Sequence, residues 1–158
     1  MTRYEVEFEV EFLMGKQRPR FDPRTKRAYT PSETKDAEYQ VGVAYKGASI
    51  RRYGRVVRAP RGVPVAVRVD CYTKAPRSWP KWLPTWLKPR MPFTKKVDVD
   101  NALKLVMDGM NGIAYDDDAQ VIAVHAFKHD MTAETCDRME LTIQFDLEEQ
   151  WETSTTTQ

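Results

Sequence analysis

Tyr4, Val6, Phe8, Val10 and Phe12 alternate with Glu5, Glu7, Glu9 and Glu11. Side chains two apart share one face of an extended strand, so this stretch must rest its aromatic and valine side on a core and turn its glutamates to water. The glutamates also discourage edge-to-edge pairing with another chain. Val63, Val65, Val67, Val69 and Cys71 repeat the period, as do Met139, Leu141, Ile143 and Phe145. A further run, Val121, Ala123, His125 and Phe127, is interleaved with Ile122, Val124 and Ala126 and is nearly apolar throughout, the pattern of a central strand.

Two stretches carry helical periodicity instead. From Asp98 onward, Val99, Ala102, Leu103, Val106 and Met110 form one apolar stripe, with Asp100, Asn101, Lys104, Asp108 and Asn111 off it and Gly112 as the stop. Thr30 before Pro31, with Glu33 three residues after Thr30, marks a second helix start, and the chain is helix-compatible to about Tyr45. The resulting order, β-α-β-α-β-β, predicts a mixed α/β fold: a single four-stranded mixed sheet covered by two main helices. The first helix would cross between parallel strands, and the last two strands would form an antiparallel hairpin around residues 129–137.

Length and composition bound the organisation. A chain of 158 residues, 41% of them hydrophobic, suffices for one core, so residues 1–150 are expected to form a single domain, with 151–158 as a disordered Thr-rich tail. Residues 76–92 hold five prolines with Trp79, Trp82 and Trp86, and 76–96 reads as an inserted loop in which the tryptophans either stack on bases, pack a dimer interface or cap the core. No leader and no apolar run near the roughly 20 residues of a membrane span is visible, so a cytoplasmic protein with no membrane partner is expected. Cys71 and Cys136 form no C-x-x-C pair and are expected to be buried thiols.

The net charge of +2 conceals an asymmetry: residues 1–15 carry −3, residues 16–96 carry +16 and residues 97–158 carry −11. A basic half would hold a polyanion that an acidic, cation-binding half would otherwise repel. Two halves that merely neutralise each other fit the composition equally well.

Within the acidic part, Asp98 and Asp100 open the second helix and Asp116, Asp117 and Asp118 precede the next strand. Mg²⁺ takes one or two carboxylates plus water and phosphate oxygens, so aspartates converging from these stretches would suffice. Lys104, one turn after Asp100, can stabilise charge developing on a phosphate. The same helix residues also read as an N-cap, a first-turn acid and an ordinary i,i+4 pair. Asp98-Val99-Asp100 is no calcium loop, because Leu103 stands where that loop needs Gly and Gly109 where it needs Glu. His125 and His129 lie in no metal spacing and read as bystanders.

Asp98-x-Asp100-Asn101-x-x-Lys104-x-x-x-Asp108, then Gly112, then Asp117-Asp118-x-Gln120-Val121, resembles the RusA family of Holliday-junction resolvases. Gly15-Lys16-x-Arg18-Pro19-Arg20-Phe21, the Tyr29-Thr30-Pro31 step and Lys128 extend the likeness across roughly residues 4–146. The resemblance implies a RusA-like nuclease domain of bacterial or phage origin, acting in DNA recombination and repair. It would be a homodimeric, Mg²⁺-dependent crossover junction endodeoxyribonuclease, with Mn²⁺ as a substitute ion, that places paired symmetric nicks in branched DNA. It implies Asp98, Asp100 and Asp118 as metal ligands and catalytic acids, with Asp117 as a further ligand, and Lys104 as the catalytic lysine. Arg18, Arg20, Lys95, Lys96 and Lys128 are the candidate DNA-binding residues. The rival reading is a branched-DNA-binding module that does not cut.

Overall fold

The computed structural model describes residues 1–74, 82, 97–129 and 136–148. Its main sheet comprises β1 (Thr2–Val10), β4 (Val65–Tyr72), β5 (Val121–Lys128) and β6 (Arg138–Leu147), in the order β1-β6-β4-β5. β6 runs antiparallel to both β1 and β4, while β4 and β5 are parallel. Helices α1 (Ser32–Tyr53) and α2 (Val99–Met110) supply the two crossovers. The mixed α/β expectation therefore holds in class and in element order.

Register shows how the alternating sequences meet. Val6 pairs with Ile143 and Phe8 with Leu141, and the same β6 residues face Val67 and Val69 across the sheet. All six are buried, together with Val41 and Tyr45 of α1 and Leu105, Val106 and Met110 of α2. One face of the sheet thus meets both helices, and the alternation in sequence becomes a continuous apolar layer. α2 buries Ala102, Leu105, Val106, Gly109 and Met110, a stripe that includes Leu105 and Gly109 in place of Val99 and Leu103.

Two strand expectations are corrected and a third is refined. The last two strands form no hairpin, because β4 lies between β5 and β6. β5 is an edge strand and not a central one, with Ile122, Val124 and Phe127 exposed. Its apolar run does not reflect burial on both faces; the central position went to β4, where even Asp70 is buried. α1 does cross between parallel strands, β1 and β4, but β6 is inserted between them.

Local departures have local causes. α1 begins with Pro31 at the cap position without a side-chain cap bond, so no Thr30–Glu33 box forms; Glu33 instead accepts from Gln17 Nε2 at 3.1 Å. The helix continues past Tyr45 to Tyr53 and ends at Gly54, whose φ of 72° is left-handed and whose N–H reaches the Ile50 carbonyl. Its last turns are held by tertiary contacts: Ser49 Oγ accepts from the Val57 N–H at 2.7 Å, and the Tyr53 hydroxyl meets both the N–H and the carbonyl of Glu5 at 2.9 Å. Between β1 and α1 the chain holds a small hairpin, β2 (Arg20–Asp22) with β3 (Arg27–Tyr29). Cys71 is buried as expected, which pushes its thiol up to about 11, but Cys136 is exposed because it lies just before β6, outside the alternating residues. Trp82 is exposed and so does not cap the core; Trp79 and Trp86, like most of residues 76–96 and all of 151–158, lie outside the described residues. Among the described residues no helix is long and apolar enough to cross a membrane.

The two helices touch through glycines. A Cβ on Gly109 would sit 2.7 Å from the Glu38 carbonyl oxygen, and one on Gly42 would sit 3.0 Å from the Gly109 carbonyl oxygen. Backbone cannot yield as a side-chain tip can. Gly109→Ala should therefore cost about 1–3 kcal/mol despite alanine's better helix propensity, measured as a lower urea midpoint at unchanged m-value.

Candidate active site

α2 presents its acids on the face away from the core. Asp98 occupies the N-cap with extended backbone, and its carbonyl accepts the first helical bond from Ala102 at 3.1 Å. Its carboxylate makes no capping bond; its neighbour is Asn101 Nδ2 at 3.4 Å. The ordinary-cap explanation for Asp98 is thus not realised, and the carboxylate stays exposed beside the helix N-terminus. Asp100 and Lys104 pair at 3.5 Å with side chains 65% and 62% exposed. Water screens such a pair, leaving it worth about 0.3–0.5 kcal/mol, too little for stability to account for both residues.

Further along α2, a second acidic group forms. Gly15 packs so tightly against the helix that a Cβ there would lie 2.9 Å from Asn101 Cβ, and the Lys16 N–H donates to the Asn101 carbonyl at 2.9 Å. From this anchor the Lys16 ammonium reaches Asp108. The hydrogen bond that Lys16 donates to Asp108 raises its pKa against burial, and the charges of Asp108, Glu38 and Asp118 add to it. Burial, then the charge of Asp108, raises Glu38.

The turn after α2 gives each of the three successive aspartates a different task. Asp116 pairs with Arg58, and Asp117 caps the single 3-10 turn Asp118–Gln120 by accepting from the Ala119 N–H at 2.9 Å. Gln120 fixes the turn from both ends of its amide. Its oxygen accepts from the Asp116 and Asp117 N–H groups at 2.9 and 3.3 Å, while its nitrogen donates to the Pro60 and Val63 carbonyls at 2.8 and 3.0 Å. Asp118 is left exposed in hydrogen-bond contact with Asp117. That contact raises Asp118, helped by the charges of Asp117 and Asp108, whereas the Ala119 N–H holds Asp117 below the usual carboxylate range.

The placement differs from the expected convergence. The connection from α2 folds back at once, the Tyr115 hydroxyl donating to the Met107 carbonyl at 2.9 Å, and so delivers Asp118 to the Asp108 end of the helix. At 1.5 Å of rise per residue, the ten residues from Asp98 to Asp108 span about 15 Å. Among the described residues no three His, Cys, Asp or Glu side chains converge to hold a metal. The acids line up as a ridge: Asp98 and Asp100 at one end, Asp108 and Asp118 at the other, with Lys104 and Lys16 between or beside them. The exposed carboxylates at the helix start suit a hard cation that takes only one or two protein oxygens.

Of the cationic candidates, Arg18 is exposed and Arg20 opens the exposed β2–β3 hairpin. Lys128 closes β5, and Lys95 and Lys96 lie outside the described residues. The hairpin also carries Arg24, Lys26 and Arg27, with Phe21 and Tyr29 exposed beside them. His129 is bound to Asp70 at 2.6 Å and stacked on Tyr72. The Lys16–Asp108 tether and the task of Gln120 escaped sequence reading: both lie inside the quoted motifs, but spacing alone does not say which members position the others.

Exposed carboxylates thus lie along one helix, and a cationic hairpin lies elsewhere on the chain. The particular family follows from comparison: the family model for endodeoxyribonuclease RusA matches residues 12–144, and the chain belongs to that family. No curated protein matches it.

Because the Gln120 amide serves two N–H groups and two carbonyls, Gln120→Glu would set a carboxylate against two carbonyl oxygens. The variant should lose about 1–3 kcal/mol of stability by denaturant unfolding, and Gln120→Ala should lose a comparable amount.

Proposed function

We propose that this protein is an endonuclease that resolves four-way DNA junctions by paired nicks, in recombination and repair, with Mg²⁺ or Mn²⁺ as its cofactor. The observation that carries the reading is the RusA family match, which spans both acidic stretches and the basic hairpin. Asp98 and Asp100 would hold the cation, with Asp118 as the acid from the second stretch; Asp117 is committed to its cap and contributes less. When bound, the cation supplies charge neutralisation and a water of lowered pKa. Lys104, already beside Asp100, would place its ammonium against the scissile phosphate and stabilise the extra negative charge of the transition state. Arg18, Arg20 and the neighbouring hairpin cations would hold flanking phosphates, and Phe21 or Tyr29 would stack on unpaired bases. A homodimer would match the two equivalent strands of a junction.

A second reading has one observation in its favour: the three aspartates do not converge within a single chain. On that reading the protein grips branched DNA without cutting it.

The two separate in one assay. Purified protein should cut a synthetic four-way junction in Mg²⁺ and not in EDTA, and Asp100→Asn should bind the junction with little change while cleavage falls at least a hundredfold. Cleavage by the variant at the wild-type rate would remove Asp100 from the site; no cleavage by the wild type would favour the binding module. On either reading, replacing Arg20 and Arg27 by Ala should weaken junction binding and flatten the plot of log affinity against log salt by about 1–2 units, followed by fluorescence anisotropy.

A further inference from the structure

The outward side of α1 carries a stripe that the core does not use. Around the helix, Lys35, Tyr39, Val43, Lys46 and Ile50 fall within about 80° of one another at 3.6 residues per turn. Tyr39, Val43 and Ile50 are 74%, 48% and 51% exposed, and both lysines are exposed as well. The core side of the same helix is Ala37, Val41, Tyr45 and Ala48. Apolar side chains left together in water, with cations among them, mark a contact surface.

The stripe adjoins the acid ridge. The backbone contact at Gly42 and Gly109 draws α1 tight against α2. Lys35, Tyr39, Val43 and Lys46 form one wall of a groove of about 210 Å³, with Gly109 and Ile113 opposite and Asp108 and Glu38 also lining it. Packed helices have axes about 8–10 Å apart, less than the roughly 12 Å width of a DNA major groove. A nucleic acid seated over the Asp108 end of the ridge therefore covers this face of α1 as well.

We propose that this face of α1 holds the branch point of a DNA junction, with Lys35 and Lys46 on backbone phosphates and Tyr39, with Val43 beside it, against an unstacked base. The inference rests on the nuclease reading and gives it a surface separate from the β2–β3 hairpin. Charge complementarity selects DNA: the two lysines stand about 16 Å apart along the helix axis and set cations on either side of Tyr39 and Val43. The acids at the margins, Asp36 and Glu38, lie outside the arc that the five residues occupy. A protein partner would account for the apolar residues but not for their position beside the ridge. The apolar component in turn selects branched over linear DNA. In a continuous duplex the bases cover one another's faces, whereas at a branch point they unstack and offer an aromatic side chain a flat surface.

The test compares a synthetic four-way junction with a linear duplex of the same arm sequence, by fluorescence anisotropy in EDTA, so that binding is read apart from cleavage. Tyr39→Ala should weaken junction binding about tenfold and leave duplex binding within about twofold, and Tyr39→Phe should restore it. Replacing Lys35 and Lys46 together by Ala should weaken both substrates and flatten log affinity against log salt by about 1–2 units. All three variants should keep the wild-type circular dichroism and thermal transition, as exposed positions allow. When the junction is cut in Mg²⁺, the losses should appear in KM more than in kcat, as for contacts made equally in the ground and transition states. An equal loss on junction and duplex with Tyr39→Ala, or wild-type junction binding by both the Tyr39→Ala and the double-lysine variants, would overturn the proposal. If those variants also cut at the wild-type rate, the nuclease reading stands and the stripe belongs to a protein partner. A wild-type chain that neither binds nor cuts the junction would remove both readings.

Discussion

The placement of α2 governs the rest of the molecule. Its buried side, Ala102, Leu105, Val106 and Met110, seals the core. Two glycine contacts then fix where the helix lies: Gly109 against the backbone of α1, and Gly15 against Asn101 near its start. Because side chains at either contact would clash with backbone or with Cβ atoms, the helix has little freedom to slide or roll. Its acidic side is thereby held out to solvent at a defined height above the sheet, and the Gly15–Lys16 segment is laid along it.

That arrangement resolves an electrostatic conflict by distance and by counter-charge. Asp98, Asp100, Asp108 and Asp118 would repel one another if gathered without a cation. The helical rise spreads them, Lys104 and Lys16 offset the two ends, and Gln120 orients the turn so that Asp116 and Asp117 are used structurally while Asp118 is left exposed. Membership of the RusA family gives this ridge its context.

The strands, the two helices and their order were legible because period-two and period-3.6 hydrophobicity are properties of consecutive residues. Glu5, Glu7 and Glu9 on one face of β1, and the apolar stripe of α2, required no knowledge of partners. The motif acids were legible for a similar reason: their spacing along the chain carries the likeness to the family. Less accessible were the end of α1, which Ser49 and Tyr53 secure through distant residues, and the β2–β3 hairpin, which has only three residues per strand and no core of its own.

By itself, then, the amino-acid sequence determined which segments extend, which coil, which face of each is apolar and which acids and bases are available. Tertiary structure decided what lies next to what. An apolar run such as Val121–Phe127 fits a buried centre or an unguarded edge, since side-chain character records affinity for apolar surface and not the identity of the neighbour. In the same way, Asp98 and Asp118 fit one site on paper, but helical rise and the tight turn at Tyr115 set Asp118 beside Asp108, because only the folded path of the backbone converts separation in sequence into distance in space.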